Sequence, residues 1–205
     1  MSNTLTIGRP TLIDVVVRRS LATDVVAVLG AAALTGVLAQ VAVPLWPVPI
    51  TGQTLAVLLA GGMLGAVRGS LAMVAYAVLG IIGVPWFSDA SGGWSVLAGP
   101  TGGYIIGFIF AAALTGWLAQ LRWDRKFLKG LLAFGVGSAV VFLVGLPWLA
   151  VSLSLTFEQT LQSGLYPFII GGLVKAAIAA GTMSLFWKVG GTNGAKSPRT
   201  ADETR

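Results

Sequence analysis

Six apolar segments dominate this 205-residue sequence, each close to the length of about 20 residues that crosses a bilayer as a helix. They run over Asp24–Val43, Thr51–Val67, Ser70–Val84, Gly103–Leu121, Phe127–Leu153 and Leu165–Trp187. The second and third are short and joined tightly around Arg68, which predicts a helical hairpin. Pro147 is expected to kink or end the fifth, because proline breaks a helical hydrogen bond. The chain is 56% hydrophobic and 10% charged, whereas soluble domains carry about a quarter charged residues. A soluble fold of this size could not hide so much apolar surface. The expected class is an all-α integral membrane protein with six transmembrane helices. Residues 1–23 form an N-terminal segment, 24–189 a single six-helix membrane domain, and 190–205 a polar tail expected to be disordered. Within the first segment, Thr11–Ser20 mixes Leu12, Ile13, Val15, Val16 and Val17 with Asp14, Arg18 and Arg19, which suits a short helix on the membrane surface.

Charge placement sets the expected orientation. Arg9, Arg18 and Arg19 precede the first span, Arg68 falls between the second and third, Arg122, Arg125, Lys126 and Lys129 between the fourth and fifth, and Lys188, Lys196, Arg199 and Arg205 after the sixth. In a six-span topology all of these lie on one side. The opposite loops hold Asp89 and Glu158 and no Lys or Arg. The positive-inside rule therefore puts both termini in the cytoplasm. The net charge of +6 does not indicate nucleic acid, since the basic residues form no single patch. No cleavage site stands out after Arg9, Arg18 and Arg19, and the first apolar run continues into further spans, so a signal peptide is not expected.

Lys175 in "GGLVKAAIAAG" is the one basic residue that topology does not account for. It falls about ten residues into the sixth segment, roughly 15 Å below its outer end. A charge at that depth costs about 2.5 to 3.5 kcal/mol on insertion scales. Asp24 is expected at the cytoplasmic end, and Asp89 and Glu158 in outer loops, so no carboxylate stands at matching depth. An internal ion pair is thus disfavoured against an anionic ligand, most simply a carboxylate.

The outer side offers a place for such a ligand. Pro49, Pro100 and Pro167 stand near the outer starts of the second, fourth and sixth spans. Proline favours the first helical turn, so three positive helix ends are expected to face one vestibule. The loop "GVPWFSDASGGWSVLAGPTGGY" carries Trp86, Phe87, Trp94 and Tyr104 beside Ser88, Asp89, Ser91 and Thr101. Aromatic walls with a few oriented polar groups suit a small-molecule site, although Trp94 and Trp148 equally suit an aromatic belt. In the first span, Ala27, Ala31, Thr35 and Ala39 recur every four residues. Such a stripe suits close packing on this chain's own helices as well as on a partner subunit.

Cys and His are both absent. That removes disulfides, Cys/His metal sites, thiol nucleophiles and imidazole bases. No cofactor or metal is expected. "GGTNGAKS" resembles a phosphate-binding loop, but Ala195 breaks the Gly-Lys pairing, and "GVGSAV" is a glycine pair within a span. The chain thus has no visible means of hydrolysing ATP. An enzyme using Lys175 as nucleophile would lack an evident base, an ion-coupled carrier would lack its intramembrane carboxylates, and a purely structural subunit would leave Lys175 unexplained.

The blocks "PVPITGQTLAVLLAGGMLG", "GIIGVPWFSDASGGWSVLAGPTGGYIIGF" and "PFIIGGLVK" resemble, in order, the signature blocks of the BioY family. That family is the biotin-specific substrate-binding (S) component of energy-coupling factor (ECF) transporters. The resemblance implies six helices, a biotin pocket opening outward, and a prokaryotic cell membrane location with lipid around it. The implied partners are a transmembrane coupling protein and two ATP-binding cassette ATPases. It assigns Lys175 to biotin and Ala27 and Ala31 to the coupling-protein contact. Many members read Gly-Asp-x-x-Lys in the last block, where this chain has Gly172 in place of the aspartate. Gln53, Asp89 or Ser91 is then expected to supply the polar contact for the ureido ring. A carrier of another small carboxylate vitamin is the alternative.

Overall fold

In hydrocarbon each backbone N–H must find its carbonyl within the same segment, so a long apolar run folds as a helix. The computed structural model describes residues 10–18 and 20–193 and places a helix in every predicted span. Expectations placed on residues 1–9, on Arg19 and on residues 194–205 lie outside the described residues. The order is α1 (Leu12–Val16), α2 (Leu21–Ala39), α3 (Gln53–Leu64), α4 (Ala66–Ile81), α5 (Trp94–Ala98), α6 (Gly102–Gln120), α7 (Phe127–Leu153), α8 (Phe157–Gly164) and α9 (Phe168–Asn193). Between α2 and α3, β1 (Ala42–Val43) pairs antiparallel with β2 (Ile50–Thr51), Ala42 opposite Thr51. Helix α7 continues past Pro147 rather than ending there, and α9 continues to Asn193, into the start of the expected tail.

Four helices, α2, α6, α7 and α9, are long and apolar enough to cross a membrane. Helices α3 and α4 have 12 and 16 residues, which is about 18 and 24 Å of rise. Helix α6 is the most buried of the long four and packs against α3, α4 and α7. Its small residues make this close packing feasible. Gly116 lies against the Gly65–Ala66 backbone, and a Cβ at Gly61 of α3 would overlap the Thr115 hydroxyl.

The α3–α4 hairpin turns on Gly65, not on Arg68. Gly65 has φ 84°, a conformation that glycine adopts without the Cβ penalty. With a single residue joining the helices there is no loop for Arg68 to occupy. It sits in the first turn of α4, 3% exposed. Its guanidinium reaches Asp24 at 2.8 Å and Asp14 at 3.0 Å, and donates to the Thr11 hydroxyl at 2.7 Å and the Leu64 carbonyl at 2.9 Å. The residue read as a topology determinant is therefore the centre of a buried ion cluster that fastens α1 and α2 to the hairpin. Helix α1 docks through Leu12 onto the cluster around Phe134 and Met183, leaving Val15 and Val16 exposed.

The α2 stripe turns inward along its length. Thr35 and Ala39 are fully buried, while Ala27 and Ala31 are half-buried against the chain's own core. The outward face of α2 carries Val25, Val26, Leu29, Leu34 and Val37 instead.

Candidate functional site: a cavity around Lys175

Three helices begin at one end of the bundle, and the space between them is a cavity of about 330 Å³. Gln53 and Thr54 of α3, Tyr104 of α6 and Phe168 of α9 bring the helix starts to its wall. The prolines act differently from expectation. Pro167 directly precedes α9, but α3 begins at Gln53, four residues beyond Pro49, so Pro49 is cavity wall rather than first helical turn. Pro100 likewise lines the cavity two residues ahead of α6.

Of the sequence-predicted site residues, Lys175, Gln53, Phe87, Asp89, Ser91, Thr101 and Tyr104 all line this cavity. Trp86 does not. The two neighbours part ways. Phe87 enters the cavity, while the Trp86 indole donates to the Tyr76 carbonyl at 3.0 Å and covers Gly36 of α2.

Lys175 lies seven residues after the start of α9, a depth of about 10 Å rather than 15 Å. Its ammonium donates to the backbone carbonyl of Thr51 at 2.6 Å. Among the described residues the recorded ion pairs all involve Arg68, and none involves Lys175. An ammonium carries three donors, so two remain after Thr51 is served. A neutral carbonyl orients the charge without neutralising it. The cavity therefore offers a fixed cation with spare donors.

The polar groups around it are already partly committed. The Thr51 hydroxyl donates to the Gln53 amide oxygen at 3.0 Å, the Gln53 amide nitrogen donates to the Tyr76 hydroxyl at 2.6 Å, and that hydroxyl donates to the Trp86 carbonyl at 3.3 Å. Tyr104 gives its hydroxyl to the Gly164 carbonyl at 3.0 Å, so it presents a ring to the cavity. That ring stacks near Phe168 and meets Phe142 edge-on, with centroids 6.4 and 6.2 Å apart. The result is an aromatic wall beside a polar rim formed by Ser88, Asp89, Ser91 and Thr101. Sequence reasoning missed Phe142 and Phe168, which look like any other apolar residue within a span. It also missed the Thr51 carbonyl, because backbone groups carry no sequence signal.

Phe87 is held in place by Gly80 of α4, where a Cβ would overlap the ring. Gly80→Ala should push Phe87 into the cavity. Overpacking costs about 1–3 kcal/mol, so we expect ligand affinity to fall about tenfold while the protein still folds. Titration calorimetry together with a thermal melt checks both parts.

A family model described as the BioY family matches residues 9–192. The chain belongs to the BioY family. Among curated BioY relatives, the probable biotin transporter of Pyrococcus horikoshii is 41% identical over 147 residues, covering 72% of this chain and 85% of that one. The biotin transporter of Thermotoga maritima is 37% identical over 149 residues, covering 72% and 86%. A solved structure described as the S-component for biotin from an ECF-type ABC transporter superimposes with a TM-score of 0.73 at 28% identity, covering 82% of this chain and 92% of that one. This BioY chain is thus a multi-pass membrane protein with an S-component fold. Its blocks "PVPIT" and "GPTGGY" are the stretches that bring Pro49, Thr51, Pro100, Thr101 and Tyr104 to the cavity.

Proposed function

We propose that this chain binds biotin in the Lys175 cavity and serves as the substrate-specific component of an ECF-type ABC transporter. The observation that carries the reading is the Lys175 ammonium, with donors to spare and no ion pair among the described residues, in a cavity of about 330 Å³. That volume is in the range of small-molecule sites. The carboxylate of biotin would meet Lys175, its aliphatic chain and sulfur ring the aromatic wall, and its ureido head the polar rim. Gln53, Asp89 and Ser91 are the groups from which the ureido contacts would come.

In the membrane we place six spans, with α3 and α4 as the short pair, both termini in the cytoplasm of a prokaryotic cell, and the cavity facing outward. The exposed cations Arg122, Arg125 and Lys126 on the α6–α7 connection and Lys129 in the first turn of α7 support this, since α6 starts at the cavity and ends beside them. ATP hydrolysis would come from two ATPase subunits acting through a transmembrane coupling protein. That protein would dock on α2 where Ala27 and Ala31 reach the surface beside exposed Val26 and Leu34.

The test uses purified protein with biotin and with its primary carboxamide. Replacing the carboxylate by a neutral amide removes the charge-assisted bond, which is about twice as strong as a neutral one. We expect biotin to bind and the amide to bind at least tenfold more weakly. Equal binding of the two would reject the role of Lys175. Binding of another carboxylate vitamin in place of biotin would favour the alternative substrate.

A further inference from the structure

Gln40 lies outside the cavity but holds part of its wall. It caps the C-terminus of α2, and its side chain crosses to a turn nearly fifty residues away. The amide nitrogen donates to the Phe87 carbonyl at 3.0 Å and the Gly36 carbonyl at 3.0 Å, and approaches the Trp86 carbonyl at 3.3 Å. The amide oxygen accepts the Ala90 N–H at 2.9 Å. One side chain thus grips both ends of the Ser88–Ala90 turn. Ser88 and Asp89 of that turn line the cavity.

The turn needs holding. Asp89 and Ala90 have φ 59° and 51°, a left-handed conformation that non-glycine residues keep only where surrounding contacts enforce it. The other bonds on this segment are made within it: Phe87 N–H to the Ser91 carbonyl, Ser91 N–H and hydroxyl to the Ser88 carbonyl. Among the described residues, Gln40 is the side chain whose hydrogen bonds tie Phe87–Ser91 to a helix. The Trp86 carbonyl that it approaches also ends the chain running from Lys175 through Thr51, Gln53 and Tyr76. The two polar ends of the cavity are therefore connected through it.

We propose that Gln40 is a positioning residue for the ligand site: it latches the Ser88–Ser91 turn over the cavity, and ligand is retained only while that latch is made. The proposal rests on the cavity being the ligand site, so its test has one arm with ligand and one without. In the full chain, Gln40→Met keeps the side-chain length and removes every bond. We expect biotin to bind about tenfold more weakly, mostly through faster dissociation, and amide exchange at residues 86–91 to accelerate in the ligand-free protein. The ligand-free melting temperature should change by less than about 4 °C, since Gln40 is exposed. Gln40→Glu gives a readout that a merely structural role would not move. Ionised, it still accepts from Ala90 but faces three carbonyls with no donor; protonated, it can donate again. Its affinity deficit relative to wild type should shrink between about pH 8 and about pH 5. Asp89 on the turn and Lys175 across the cavity are present in both proteins, so their contributions cancel in that ratio. Unchanged biotin affinity and unchanged exchange at 86–91 in Gln40→Met would overturn the proposal. So would a Gln40→Glu deficit that is independent of pH. If wild type itself failed to bind biotin, the functional reading would fall, and the ligand-free exchange arm would still decide for or against the latch.

Discussion

Lys175→Ala should weaken biotin binding by about 100-fold or more. Truncating one partner of a buried, hydrogen-bonded charge pair costs about 2–5 kcal/mol, and each 1.4 kcal/mol is a factor of about ten. The ligand-free protein should respond in the opposite sense. Its ammonium is held by one neutral carbonyl and makes no ion pair among the described residues, so the unliganded fold bears the cost of its desolvation. Lys175→Met fills the same volume without the charge. Its ligand-free melting temperature should equal or exceed that of wild type, while the rise in melting temperature on adding biotin disappears. Two melts per protein, with and without biotin, decide the matter. A Lys175→Met protein that melts early in both would mean that the lysine holds the fold together. One that keeps the biotin shift would mean that the ligand does not use it.

Arg68→Met should be the most damaging substitution for stability. It takes from Asp14 and Asp24 the cation that they share, in a cluster where Arg68 is 3% and Asp24 1% exposed. Breaking a buried ion pair by removing one partner costs about 3–5 kcal/mol. We expect a melting temperature lowered by many degrees and poor recovery in detergent. Adding Asp14→Asn and Asp24→Asn to Arg68→Met should restore part of the loss, because two carboxylates that shared one guanidinium repel once it is removed. The same cluster gives stability a pH dependence. Burial works to raise the Asp14 pKa, but the Thr11 backbone and hydroxyl bonds and then Arg68 outweigh it and hold the carboxyl below its usual 3.8. A lowered folded-state pKa means that the stabilisation is complete above about pH 4 and is lost as pH falls through the lower folded value. Asp14→Asn should flatten that acid limb in pH-dependent melts.

That Lys175 stands apart from the other cations was legible in the sequence, because it alone lies inside an apolar run. Its partner was not. The Thr51 carbonyl lies 124 residues away and is a backbone atom. Arg68 misled for a related reason. Between two apolar runs an arginine looks like a loop residue, and only the one-residue joint at Gly65 makes it a buried one. Trp86 was read with Phe87 as part of one aromatic loop, yet the cavity took only Phe87, because the Trp86 indole is bound to the Tyr76 carbonyl. Gln40 carried no signal, since its four contacts depend on where the 86–91 turn lands.

Sequence alone determined the helical segments and which charge lies inside an apolar run. Both follow from local free energies: apolar runs of this length must satisfy their own backbone bonds as helices, and a charge within one carries a fixed penalty wherever its neighbours lie. Tertiary structure alone decided which groups meet. It placed three helix starts around one cavity, gave Arg68 to two aspartates, turned Thr35 and Ala39 inward, and set Gln40 against a turn nearly fifty residues on. Those pairings depend on how close helices can approach, and hence on glycines such as Gly61, Gly65 and Gly116 whose partners become apparent only when the bundle is assembled.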